Sequence, residues 1–370
     1  MKVTGISIDV VEREIPALQV NDGRRALGGK TTQGVLRIQT DEGIEGVTTL
    51  GQQGTNAEAV ISQIDKWLRP RLIGRDVHER EMLWQEIHRD LVHDQPRNVA
   101  WAHVDAALWD IAGKEAGVPV HQLLGTHRYD IPVYATYPPR QSTPEGYVDE
   151  ALELKDQGFG AYKIHPGAMR PNEVVNTVGM VREAVGDEFT LMMDPNNGYS
   201  LPAALEVGRA LDDNGFHWFE DPVTWNDYDA IGELSRRLDT PINISDAAGF
   251  LLREAAHCVR LGYPRLMRGT TRKLGITALM KLCGMLEAHG LNCEIGLAGN
   301  SVMNAANLHV MLSVPNCDFY EWWLPREIHQ WGVTQELALT GDCRLTAPDK
   351  PGLGMELDEE WIARHRVATL

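Results

Sequence analysis

Along the first fifty residues, apolar and polar positions alternate. The stretches "VTGISIDVVER" and "TQGVLRIQTDEGIEGVTTLG" place an apolar side chain at every second position on either side of a "DEG" turn, which predicts an antiparallel meander. The spacing then lengthens. "AEAVISQIDKWLRPRLIG", "EMLWQEIHRD" and the Ala- and Trp-rich "NVAWAHVDAALWDIAGKEAG" carry apolar residues at helical intervals, the last helix ending near Gly117. Between the first two strands, residues 20–31 ("VNDGRRALGGKT") are polar and Gly-rich and predict a mobile loop.

From about residue 130 the pattern changes to short apolar runs alternating with longer helical ones. "IPVYAT", "AYKIH", "FTLMMD", "HWFED", "INISD", "RLMR", "NCEIG" and "DFYEW" are strand candidates, each separated from the next by a helix candidate. Each strand–helix–strand step takes roughly 30 residues. Eight such units predict a (β/α)8 barrel, with its chemistry at the C-terminal strand ends. An open doubly wound sheet would want a glycine-rich phosphate turn after its first strand, and "YATYPPRQ" is not one.

Three successive barrel strands end in an acid: Asp194, Glu220 and Asp246, spaced 26 residues apart. Three unpaired carboxylates at one rim would repel, and a divalent cation removes the conflict. Oxygen-only ligation suits Mg²⁺. Any one of the three taken alone reads better as a helix N-cap, and it is the three in register that favour the metal. Asn196 and Asp221 adjoin these acids, as supports for them, substrate contacts or turn caps. In "GAYKIHPG", Lys163 and His165 are two apart and face the same side, with Tyr162 and Ile164 on the other.

Composition narrows the classes. The chain has 370 residues and a net charge of −17 with no basic run, which argues against nucleic acid and anionic membrane as partners. Five cysteines, with no CxxC pair, fit a reducing compartment. The N-terminus lacks a signal-peptide core and no apolar run is long enough to span a membrane, so a soluble cytoplasmic protein is expected.

The ordered set "VDAALWDIAGKEAGVPVHQLLG", "YKIH", "DPNNGY", "WFEDPV", "ISDA" and "APDKPGLGMELDEEWI" resembles the enolase superfamily, specifically its mandelate racemase/muconate lactonizing enzyme-like members, nearly end to end. The resemblance implies an α+β N-terminal capping domain with lid loops over 1–125. It implies a modified (β/α)8 TIM-type barrel carrying the metal site over 126–345, and a segment over 346–370 that returns to the cap. Asp194, Glu220 and Asp246 match the ligands of one Mg²⁺ per subunit. Many relatives carry Glu at the third position, so Asp246 is one methylene short and implies a shifted geometry. Lys163 matches the lysine beside the substrate carboxylate, and His165 stands at the base position. Removing a proton α to a carboxylate builds an enediolate that a metal and a cation must stabilise while a base takes the proton. Glu321, in "FYEWW", matches a position that hydrogen-bonds the substrate carboxylate or its enediolate.

The chain departs from that pattern in one respect. Many relatives carry a second base, a His on the seventh strand oriented by an Asp on the sixth. Here "RLMRGTTRKLG" has no acid and "LNCEIGLAGN" no histidine. Glu294 lies on that seventh strand and Arg268 and Arg272 on or after the sixth, as candidate substrate contacts. Tyr137, after the first barrel strand, is a candidate acid, and His309 reads as packed. With one base, β-elimination of water from an acid sugar is favoured over racemisation, so an aldonate or aldarate dehydratase is expected. An epimerase or cycloisomerase is the alternative, and a non-catalytic metal- and ligand-binding relative a third. The 20–31 loop, with Arg24, Arg25 and Lys30, and the turn Thr48–Gly54 are expected to cover a small anionic polyhydroxy acid. Relatives are often dimers or octamers, which implies a homo-oligomer.

Overall fold

The computed structural model describes residues 1–18, 20–21, 27–51, 57–90, 95–244, 252–263 and 265–370. Three strands open the chain: β1 (Val3–Leu18), β2 (Leu27–Thr40) and β3 (Glu45–Leu50). Eight more follow between helices: β4 (Asp130–Thr136), β5 (Ala161–Ile164), β6 (Thr190–Met193), β7 (Trp218–Glu220), β8 (Ile242–Ile244), β9 (Leu266–Gly269), β10 (Asn292–Ile295) and β11 (Tyr320–Trp323). Two short strands close the chain, β12 (Arg344–Thr346) and β13 (Arg366–Thr369).

These strands form two sheets. The first runs β13-β1-β2-β3, antiparallel throughout, so the end of the chain pairs with its beginning. In the second, eight parallel strands run β10-β9-β8-β7-β6-β5-β4-β11, with β12 antiparallel on β4. The parallel sheet curls: the Cys293 amide donates to the Asn316 carbonyl at 2.7 Å, linking the two ends of the order. The architecture is an α+β cap on a TIM-type barrel. Tyr134, Ala161, Met192, Trp218 and Leu266 fill the barrel floor.

The helix Gln95–Ala116 joins the two parts, and its composition explains why it can. It is apolar nearly all round because β3 covers one side and the barrel helix Thr271–Ala288 the other. Gly46 on β3 lies against the Ala107 carbonyl, where a Cβ would collide. Two buried acids on this helix lock the junction. Asp105 accepts from the Thr277 amide at 2.9 Å, and Asp110 accepts from the amides of Val47 at 2.9 Å and Leu353 at 2.8 Å.

One expectation is corrected. Within the loop expected over 20–31, residues 27–31 belong to β2 and pair with β1, in register Leu18↔Leu27 and Glu14↔Lys30. Lys30 lies 2.5 Å from Glu12 in an exposed ion pair across β1 and β2. Arg24, Arg25 and Asp246 lie outside the described residues, as do residues 52–54 of the second expected loop. The five cysteines are buried and unpaired. Among the described residues no helix is long and apolar enough to cross a membrane.

Candidate active site

Strand alternation on β5 sends Ala161 and Lys163 into the barrel and Tyr162 and Ile164 outward into the core. Lys163 is 1% exposed, and its Nζ stands 3.0 Å from Glu321 Oε1, 3.1 Å from Glu220 Oε2 and 3.5 Å from Asp194 Oδ2. Burial alone would lower the lysine's pKa. Glu220 and Glu321 outweigh it and the pKa is raised, so the group stays an ammonium.

His165 follows directly at the strand's end. Its Nδ1 lies 2.7 Å from the Tyr137 carbonyl and 3.0 Å from Thr136 Oγ1, and its Nε2 lies 3.1 Å from Asp194 Oδ2. The Tyr147 hydroxyl donates to the His165 carbonyl at 2.5 Å, fixing the backbone as well. Asp194 is pushed up by burial but lowered on balance by His165 and Lys163. Glu220 goes the other way: burial, Asp194 and Glu321 raise its pKa against Arg268 and Lys163.

Backbone strain gathers beside these acids. Asn196, Asn197 and Asp221 all hold positive φ, at 52°, 62° and 36°. The turn lets the Asn196 amide donate to Asp194 Oδ1 at 2.8 Å and the Asn197 amide to the Asp221 carbonyl at 2.7 Å. Asn196 thus supports Asp194 directly.

Other expected site residues are placed differently. Arg268 is 2% exposed, inside the barrel. Its Nε lies 2.8 Å from Glu220 Oε1, and its Nη2 lies 2.9 Å from Glu321 Oε2 and 3.0 Å from the Tyr134 hydroxyl. Glu321 also accepts from the Leu297 amide at 2.7 Å. Glu294 does not join the group: it accepts from Asn292 Nδ2 at 3.1 Å and the Asp318 amide at 3.2 Å, near the start of β11. The Tyr137 ring is half-buried against the Arg140 guanidinium, 3.5 Å from the ring centre, and its carbonyl is the group that meets His165. His309 is packed, with Nδ1 accepting from the His121 amide at 3.3 Å and Nε2 facing the Leu353 carbonyl at 3.2 Å.

Sequence reasoning missed three residues of the site. Thr136 reads as an ordinary strand threonine. Trp218 donates from Nε1 to Glu220 Oε2 at 3.2 Å but looks like core. Asn243 was the detectable one. It interrupts an apolar strand, stands in register with Glu220, and its side-chain oxygen and nitrogen are buried without a partner among the described residues.

Buried carboxylates and a lysine gathered at the C-terminal strand ends, under an α+β cap, define an enzyme of the capped-barrel class. Comparison with known proteins agrees. Residues 146–361 match the family described as enolase C-terminal domain-like, and residues 19–125 match the mandelate racemase / muconate lactonizing enzyme N-terminal domain. The chain belongs to this mandelate racemase/muconate lactonizing enzyme family of the enolase superfamily. It is 29% identical over 355 residues to arabinonate dehydratase of Saccharolobus solfataricus, covering 90% of this chain and 92% of that one. It is also 29% identical over 351 residues to 3,6-anhydro-alpha-L-galactonate cycloisomerase of Streptomyces coelicolor, covering 90% and 91%. The magnesium-complexed crystal structure of D-glucarate dehydratase from Agrobacterium tumefaciens superposes with a TM-score of 0.88 at 29% identity, covering 100% of both chains.

Proposed function

We propose that the protein is a Mg²⁺-dependent acid-sugar dehydratase that converts an aldonate or aldarate to its 2-keto-3-deoxy product. The observation that carries this reading is the convergence of Lys163 Nζ and His165 Nε2 on Asp194 Oδ2, at 3.5 and 3.1 Å. A cation and a base then flank one site on one side of the barrel mouth.

The donor set fits a hard divalent cation. Asp194 and Glu220 are buried and share Lys163 as a partner, and burial raises the Glu220 carboxyl, so a bound cation would offset the cost of its charge. Among the described residues no three His, Cys, Asp or Glu form a complete metal cluster, and the third carboxylate of this reading, Asp246, lies outside them. When bound there, Mg²⁺ would supply positive charge to the substrate carboxylate.

The residues of the chain do the rest. His165 Nε2 takes the proton from the α-carbon, and the C–H electron pair moves into the carboxylate to form an enediolate. The Lys163 ammonium stabilises that charge. As the pair returns, the β-hydroxyl leaves with the proton held on His165, giving water and an enol that becomes the 2-keto acid. Elimination needs a single face, and the described residues hold no second histidine in the group, which favours it over epimerisation.

Turnover in D₂O of a panel of five- and six-carbon aldonates and aldarates, followed by NMR, tests the reading. Formation of a 2-keto-3-deoxy acid that His165→Ala abolishes is the expected result. An isomer carrying α-deuterium, or full activity in His165→Ala, would overturn it.

A further inference from the structure

The His165 ring has two neighbours at Nδ1, and both are acceptors. The Tyr137 carbonyl, 2.7 Å away, can only accept. Thr136 Oγ1, 3.0 Å away, spends its single proton on the Lys163 carbonyl at 3.0 Å, so toward the ring it too presents a lone pair. The Nδ1 proton is therefore shared between two acceptors. In the neutral ring this leaves the lone pair on Nε2, and the 3.1 Å contact with Asp194 Oδ2 becomes a hydrogen bond only once Nε2 carries a proton. Thr136 is fully buried and in register with Lys163, so its hydroxyl cannot swing out to water.

We propose that Thr136 is a positioning residue for His165, holding the imidazole in the one tautomer and orientation that makes Nε2 the base; this rests on the role given to His165 above. One hydroxyl thus ties the β5 backbone at Lys163 to the ring of His165 just past the strand's end. It straps the backbone of Lys163 and it turns the ring of His165. A proton arriving on Nε2 meets Asp194 Oδ2 without the ring having to flip, and the same atom can release it.

The test compares Thr136→Val, which keeps the shape and removes the hydroxyl, with Thr136→Ser, which restores it. In the full-length chain with Mg²⁺ and the panel acids, kcat is expected to fall about tenfold or more in Thr136→Val with KM changed less than about threefold, and to recover in Thr136→Ser. Ring-¹⁵N histidine NMR, with the signal assigned by its loss in His165→Gln, gives a second readout that needs no substrate. The wild-type Nδ1 is expected to give the signal of a protonated ring nitrogen. Its proton is expected to exchange with water faster in Thr136→Val and normally in Thr136→Ser. An imine-type Nδ1 signal in the wild type would overturn the proposal, as would a Thr136→Val protein matching wild type in both readouts. Retained turnover in His165→Gln would sink the base assignment instead, and the NMR result would still decide the lock.

Discussion

Arg268 shows how much of the barrel interior is electrostatic rather than apolar. Its guanidinium bridges Glu220 and Glu321, while Lys163 meets the other oxygen of each, so two cations and two acids form a closed ring of buried charge. Taking such charges out of water is costly, and their mutual attraction offsets it only while the set is complete. Arg268→Met should therefore lower the free energy of unfolding by about 3–5 kcal/mol, because it leaves buried carboxylates uncompensated. The double variant Arg268→Met/Glu321→Gln should recover part of that loss, and urea unfolding of the two would measure both. An unchanged midpoint in Arg268→Met would show that the ring contributes nothing. In the sequence, Arg268 reads as a candidate substrate contact on the sixth barrel strand. Its partner Glu321 is 53 residues away on β11, at the other end of the strand order, and only the curling of the sheet brings the two together. The carboxylates at strand ends were legible because strand ends recur; which cation answers which acid is set by tertiary geometry.

Among elements, the loops that follow β4 and β5 are held by the cap. The Asn21 amide donates to the Pro139 carbonyl at 2.5 Å, and the Asn21 carbonyl accepts from Ala168 at 2.8 Å. Both contacts sit two or three residues from Tyr137 and His165, so the cap braces the segments that carry these two residues. Gly167 makes this possible: it holds φ at 59°, and an added Cβ would collide with the Asn21 carbonyl and lie 2.7 Å from Pro139 Cβ. Gly186 also holds positive φ but has open space around its missing Cβ. Gly186→Ala should cost about 1–3 kcal/mol, the backbone penalty alone at φ 81° and ψ 173°. Gly167→Ala should cost more and should speed hydrogen exchange at the Ala168 amide. Equal losses in the two variants would mean that the Asn21 contact is not seated. The barrel strands could be read in advance because a short apolar run between helices is a local signal. The extension of β2 over 27–31 could not, since "LGGKT" has no alternation of its own and becomes a strand by pairing with the long β1.

Over the whole molecule, buried titratable groups oppose one another. Burial lowers His103 to about 3, His309 to about 4 and His329 to about 3. Between their ordinary pKa near 6.5 and these values the unfolded chain binds protons that the folded one refuses, so their stability contribution is lost as pH falls. Burial raises Asp105 to about 6, and raises Glu294 and Glu336 to about 7. In these three the folded chain holds the extra proton, from the folded pKa down to the ordinary carboxylate range, so their contribution grows as pH falls. Glu220 is raised to about 7 as well, so four carboxyls oppose three histidines over much of the same window, and the two sets offset most of each other's pH dependence from about pH 6.5 to 4.5. Glu294→Gln removes one group from the second set, and with it the extra proton that the folded state holds below about 7. The variant's unfolding free energy should then fall with acidification by about 1.4 kcal/mol per pH unit more than that of the wild type across that window. Urea unfolding at a series of pH values would reveal the added slope. A parallel pair of curves would mean that Glu294 is ionised in the folded protein, and that the balance is struck by other groups.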